Sequence, residues 1–228
     1  MSETRTVDVP PGKEAPRSPP CFDENFRDLL KELFRWRRDV RRFLSDPVPD
    51  DMIDELLVHA TLAPSVGHSQ PWRFVTVEAA ATRQAVVADF SACNQAALAG
   101  YDGKQAELYA GLKLSGLCEA PVHLAIFCDM ETDVGHGLGR KTMPETLTYS
   151  VVAAIQNLVL AARARGLGVG WVSILDPCRI TDLLNVPAAW RLIAYLCLGW
   201  PQEEHLDPEL ERLGWQERLP HSGILHRR

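Results

Sequence analysis

The densest chemistry in the chain lies at residues 35–42, R-W-R-R-D-V-R-R, five arginines and one aspartate within a chain of formal net charge −6. Guanidinium forks bind phosphate oxygens in pairs, so such a cluster suits a small dianion. Arg37, Arg38 and Arg41 are the candidate phosphate ligands. Asp39 either neutralises its neighbours or is a carboxylate held by positive charge beside a reactive ring, able to steer or shuttle protons. A second stretch, A-P-S-V-G-H-S-Q-P-W at 63–72, offers more donors and acceptors than a connection between two elements requires. Ser65, Ser69, Gln70 and the backbone around Gly67 can be laid against a flat polar ligand, while nothing marks His68 as a base. The third stretch, G-L-G-V-G-W-V-S-I-L at 166–175, is not a G-x-G-x-x-G ahead of a helix, so a Rossmann site is rejected. It reads as a strand edge where glycines permit close approach, with Ser173 a hydroxyl that needs a partner if buried. Together the three stretches point to a phosphorylated cofactor. No serine, histidine and acid pattern points to acyl transfer, and no histidine and carboxylate cluster points to a metal.

The elements that must position these residues follow from periodicity. Asp23 caps a helix with Phe26, Leu29, Leu30, Leu33 and Phe34 at helical spacing, running to about residue 36 or 38. It delivers the arginines at its C-terminal end, where cations favour the helix dipole. A second helix opens at Pro49 and Asp50, with Met52, Ile53, Leu56, Leu57 and Ala60 as its buried stripe, and Pro64 ends it. Residues 72–77 alternate as a strand. Residues 79–117 read as mostly helical with a break near 100–103, and residues 121–128 as a buried strand. A glycine-rich loop spans 129–143. A long central helix follows at 145–165, with Leu147, Val151, Val152, Ile155, Leu158, Val159 and Ala162 on one side. Residues 169–174 form a strand, Asp176 and Pro177 start a short helix through Leu184, and residues 193–198 are apolar enough for an interior strand. A turn of helix around 208–213 closes the series. Interleaved helices and strands give an α/β or α+β class, with a sheet covered by helices.

Bulk properties bound the partners. A chain of 228 residues buries one substantial core. The acidic balance and pI near 5.6 argue against nucleic acid, and no apolar run is expected to span a bilayer. The N-terminus lacks a secretory h-region. Six scattered cysteines without a C-x-x-C pair read as reduced residues of a cytoplasmic protein. Residues 1–21, rich in proline, are expected to be a disordered tail ahead of a single domain at 22–228.

The motifs R-R-D-V-R at 37–41, P-S-V-G-H-S-Q-P-W at 64–72 and G-V-G-W-V-S at 168–173 together resemble the flavin-binding nitroreductase superfamily, and more closely its 5,6-dimethylbenzimidazole synthase branch. The aspartate of R-R-D-V-R and the G-W-V-S-I-L strand narrow the likeness to that branch. Many other members carry a hydroxyl-bearing residue where Asp39 stands. The resemblance covers residues 22–220. It implies an α+β three-layer sandwich whose central, mostly antiparallel sheet is covered by helices. It also implies an intertwined homodimer with FMN at the subunit interface. Arg37, Arg38 and Arg41 would hold the phosphate and ribityl chain, with Asp39 and Val40 among the flavin contacts. Ser65, from the partner subunit, would line the flavin, and Trp171, Val172 and Ser173 would pass along the ring edge. Lys113 and Arg218 would add polar and phosphate contacts, and residues 79–117 would be a helical lid.

The implied reaction takes reduced FMN as substrate and O2 as co-substrate and yields 5,6-dimethylbenzimidazole, the lower ligand of cobalamin. Asp39 and Ser173 would be its catalytic residues, and a separate NAD(P)H flavin reductase would supply the reduced flavin. Two other readings share the motifs: an NAD(P)H-dependent nitroreductase and a non-enzymatic flavin-binding sensor.

Overall fold

The computed structural model describes residues 18–220 and 224–226. Most of the expected tail, residues 1–17, lies outside them, and residues 18–21 are exposed coil. The first helix, α1 (Glu24–Trp36), starts where the Asp23 carboxylate accepts the Phe26 N–H at 2.8 Å. Helix α2 (Asp50–Thr61) follows, then a single 3-10 turn at Val66–His68 leads into strand β1 (Trp72–Thr76). Helices α3 (Ala80–Leu98) and α4 (Gly103–Ala110) come next, then β2 (Val122–Asp129) and the long helix α5 (Thr146–Ala164). The chain continues through β3 (Gly168–Val172), α6 (Pro177–Leu183), β4 (Trp190–Gly199) and α7 (Glu209–Arg212).

The four strands form one sheet in the order β1-β2-β4-β3, with every neighbouring pair antiparallel. Side chains alternate across it, so the sheet has two cores. On one face Leu124, Ile126, Leu196 and Leu198 pack with Leu56 and Ala60 of α2 and with Val151, Ile155 and Leu158 of α5. On the other, Ala125, Phe127, Tyr195 and Cys197 pack with Val86 of α3 and Ile180 of α6. This is the expected α+β three-layer arrangement, and the sheet is wholly antiparallel.

Four expectations are corrected. Helical structure after residue 79 ends at Ala110, because residues 112–117 are drawn out beside the chain at 41–43, where Gly116 meets Arg41 and Phe43. Val152 lies on the outer side of α5 and is 40% exposed; Ser150 and Ala154 take the inner stripe instead. Strand β3 stops at Val172, so Ser173 is exposed rather than buried in an apolar run. Finally, α5 is long and apolar enough to cross a membrane by length and composition, contrary to the expectation from the sequence. Its buried residues form the centre of the first core.

One buried polar pair lies in the second core. His123 of β2 is 1% exposed, and its Nδ1 stands 3.0 Å from the Tyr195 hydroxyl of β4. Burial lowers the imidazole to about 4, helped by the nearby Arg83 charge. The unfolded chain takes up this proton below pH 6.5, whereas the native state refuses it until about pH 4. Stability is therefore intact at neutral pH and falls as pH drops through that window. At 1.36 kcal/mol per pH unit the whole effect is about 3 kcal/mol. Urea unfolding at pH 7 and 4.5 should show wild type losing roughly 2 kcal/mol more than His123→Phe on acidification; equal losses would assign the acid sensitivity elsewhere.

Candidate functional site

Helix α1 ends at Trp36, and the C-capping Arg37 turns extended, so the chain leaves the helix as a strap carrying the arginine run. The strap lies along the outer edge of β3. Asp39 forms a parallel bridge with Val169, and the Val40 N–H donates to the Val169 carbonyl at 2.9 Å. Further on, the Leu44 N–H donates to the Trp200 carbonyl at 2.8 Å. The approach is close enough that a Cβ at Gly170 would run into the Val40 carbonyl oxygen, and one at Gly168 would lie 2.7 Å from Val40 Cγ2. The glycines expected to permit close approach do so, and what approaches is the strap.

This pairing fixes Asp39. Its Oδ1 accepts the Trp171 N–H at 2.8 Å, and its Oδ2 pairs with Arg41. Arg41 also donates to the Leu114 carbonyl, so its guanidinium is taken up locally and links the strap to residues 112–117. Lys113 pairs with Glu119 in the same segment. Arg42 is held by Glu203 and Glu209 at 3.1 and 2.8 Å, and Arg163 by Glu204 at 2.7 Å.

Arg37, Arg38 and Arg218 behave differently. Together with Arg27, Lys31 and Arg35 they line one open groove. Burial, then the charges of Arg37 and Arg218, push the Arg38 guanidinium below its ordinary value. Asp207 and Glu211 offset this only in part. The Nε of Arg38 is buried with no hydrogen-bond partner among the described residues. Three guanidiniums held close with an unmatched donor fit a phosphate dianion. Arg218 is carried there by the C-terminal segment, which docks through Trp215 onto Tyr101 and Tyr109 beside α4.

The remaining expected residues separate. Val40 and Trp171 meet Asp39 at the strap, Val172 is buried in the second core, and Ser173 sits exposed one residue past β3. Ser65 lies in another loop, where its Oγ accepts the Gln70 N–H at 3.1 Å. That loop is held by Ser150 of α5, which accepts the Val66 N–H at 3.0 Å. The row Arg27, Lys31 and Arg35 was missed in the sequence, although its spacing of four residues along α1 was readable. The nearby thiol of Cys197 is not a nucleophile, because burial pushes it up to about 12.

The nitroreductase family model matches residues 34–200. The chain belongs to the nitroreductase family. A 5,6-dimethylbenzimidazole synthase of Rhodospirillum rubrum is 60% identical over 208 residues, covering 91% of this chain and 99% of that one. A Rhodobacter capsulatus protein of the same name is 49% identical over 199 residues, 87% of this chain and 96% of its own. These relatives place the chain among the nitroreductase-family oxidoreductases, beside the synthases. The crystal structure of oxidized iodotyrosine deiodinase bound to FMN and 3-iodo-L-tyrosine superposes with a TM-score of 0.63 at 26% identity, covering 77% of this chain and 91% of that one. A nitroreductase family protein from Streptococcus pneumoniae has the same fold, with a TM-score of 0.63 at 21% identity over 87% of this chain and 100% of its own.

Gly170→Ala should force the strap off β3. An overpacked backbone contact of this kind costs ~1–3 kcal/mol, readable as a lower urea midpoint. An unchanged midpoint would show that the strap is not fixed by the absence of that side chain.

Proposed function

We propose that this protein carries out the O2-dependent fragmentation of reduced FMN to 5,6-dimethylbenzimidazole. The observation that carries the reading is the 60% identity to the Rhodospirillum rubrum synthase along almost its whole length. The site supports it: a three-arginine groove in which Arg38 Nε is unmatched, beside a carboxylate fixed to a strand edge. Arg37, Arg38 and Arg218 would hold the phosphate of FMN, with Val40, Trp171, Val172 and Lys113 toward the rest of the flavin and Arg41 setting Asp39. The flavin supplies the electrons that O2 accepts and the carbon skeleton of the product. Asp39 keeps Oδ1 on a backbone N–H and Oδ2 on a guanidinium, which holds the carboxylate in one orientation for taking or returning a proton. Ser173, exposed two residues beyond Trp171, offers a second proton-bearing group just past the end of β3. Helices α3 and α4 would act as the lid that excludes water.

The active unit is a homodimer in this reading. Phe26, Leu29 and Phe34 of α1 are 42%, 61% and 51% exposed, and Tyr149 and Val152 of α5 are exposed as well. Apolar faces of this extent are covered by a second copy, whose Ser65 loop would complete the flavin site. A separate cytoplasmic NAD(P)H flavin reductase supplies reduced FMN, since the flavin is consumed.

Given FMN, a flavin reductase, NADH and air, the protein should produce 5,6-dimethylbenzimidazole, detectable by chromatography. NAD(P)H oxidation by the protein alone would favour a nitroreductase, and flavin binding without turnover a sensor. Asp39→Asn and Ser173→Gly should retain flavin and lose most product; normal yields would remove both from the mechanism. Arg37→Ala should weaken FMN binding roughly ten- to a hundred-fold, as loss of a charge-assisted contact of ~1.5–3 kcal/mol requires. Sedimentation velocity should return a dimer, and a monomer that still turns over would rule out the shared site.

A further inference from the structure

We propose that Asp89 is a positioning residue: one buried carboxylate that joins the loop bearing Ser173 to the helix read above as part of the lid. The inference rests on that reading of the site. Asp89 lies on the inner face of α3, between Val86 and Phe90, where periodicity calls for an apolar residue, and it is 8% exposed. A carboxylate is retained in such surroundings only when its charge and lone pairs are met.

The charge is met from one direction. Oδ2 of Asp89 accepts the backbone N–H of Asp176 at 2.8 Å, and Oδ1 forms an ion pair with Arg179 Nε at 2.8 Å without a hydrogen bond. Asp176 in turn caps α6, accepting the N–H groups of Cys178 and Arg179 at 2.9 and 3.2 Å. Cys93, one turn along α3, completes the cluster, with its Sγ 3.8 Å from Asp89 and 3.5 Å from Arg179. Beside these polar contacts, Val86 of α3 shares the second core with Val172, Leu175 and Ile180. The chain from the end of β3 to the start of α6 is therefore fixed to α3 at its Asp176 end, while Val172 at its other end lies in the same core. Ser173 stands inside that span, exposed and with no hydrogen bond of its own among the described residues. Its place is set by the residues on either side.

The consequence concerns the fate of the flavin. Reduced flavin that meets O2 without being fragmented returns to oxidised FMN, its two electrons and two protons passing to O2 to give H2O2. A displaced Ser173 diverts flux to that outcome. A purely structural role for Asp89 lowers stability and leaves the division unchanged.

The test is a single turnover. Anaerobically reduced FMN, bound to excess full-length protein, is mixed with aerated buffer, and 5,6-dimethylbenzimidazole and recovered oxidised FMN are quantified. Asp89→Leu should cut the product fraction at least five-fold, with matching recovery of oxidised FMN, while the Kd for oxidised FMN stays within two-fold of wild type. Asp89→Asn, which keeps an acceptor for the Asp176 N–H, should fall between. Amide exchange over residues 173–176 should quicken in the leucine variant. A folded, flavin-binding Asp89→Leu with the wild-type product fraction overturns the proposal, as does unchanged exchange at Asp176. If the leucine variant does not fold, Asp89→Asn and Arg179→Gln carry the same comparison. If wild type itself makes no product, the proposed function fails, and amide exchange alone decides whether Asp89 holds the loop.

Discussion

The site depends on a backbone contact: the strap at residues 39–44 can pair with the edge of β3 only because Gly168 and Gly170 present no side chain to it. An open strand edge is a liability that folded proteins cover. Here the covering segment is also the one that carries the arginines and Asp39. The same hydrogen bonds that close the sheet therefore set the position of the carboxylate. Phe43, anchored in the second core, holds the far end of the strap. The site thus inherits the rigidity of the sheet rather than the freedom of a loop.

Charge is distributed with the same economy. The chain is acidic overall, and its C-terminal acids are spent on particular cations: Glu203 and Glu209 on Arg42, and Glu204 on Arg163. Asp39 answers Arg41. What remains is Arg37, Arg38 and Arg218, the last reaching Glu211 only at 4.0 Å; burial first, and then the charges of Arg37 and Arg218, lower the Arg38 value. Holding like charges together without a matching anion is unfavourable, so the fold must supply the difference. It does so through the α1 cap, the strap pairing and the aromatic docking of Trp215. A phosphate dianion placed there would relieve that repulsion.

Much of this was legible in the sequence because local signals agreed with the global fold. Asp23, Asp176 and Pro177 mark helix starts where the chain does start helices, and the apolar run at residues 193–198 lies in β4, a central strand. By composition the arginine run points to a phosphate ligand, as proposed above. The failures have physical causes. Ser173 looked buried because the apolar run continues through Ile174 and Leu175, yet the strand ends at Val172 as the chain turns toward α6. Residues 112–117 looked helical because nothing local records that the strap needs a neighbour there. The separation of Arg41 and Arg42 from Arg37 and Arg38 depends on acids some hundred and sixty residues away in the chain, and on a carbonyl at Leu114. No window of sequence contains that information.

Which groups near the strap can move a proton is narrowed by the same surroundings. Cys197, paired with Gly170 across β3 and β4, is pushed up to about 12 by burial, and Cys128 to about 11. Both thiols therefore stay protonated and unreactive at neutral pH. His123 is neutral but sealed in the core, its Nδ1 engaged by a tyrosine hydroxyl that burial also keeps protonated. Asp39 and Ser173 remain as groups on the β3 edge that combine exposure with proton-transfer capacity, and they differ in how they are held. Asp39 is fixed by two contacts of its own, whereas Ser173 is placed only by the chain around it. A reaction needing both groups at once is therefore more sensitive to what packs against the Ser173 loop than to what packs against Asp39.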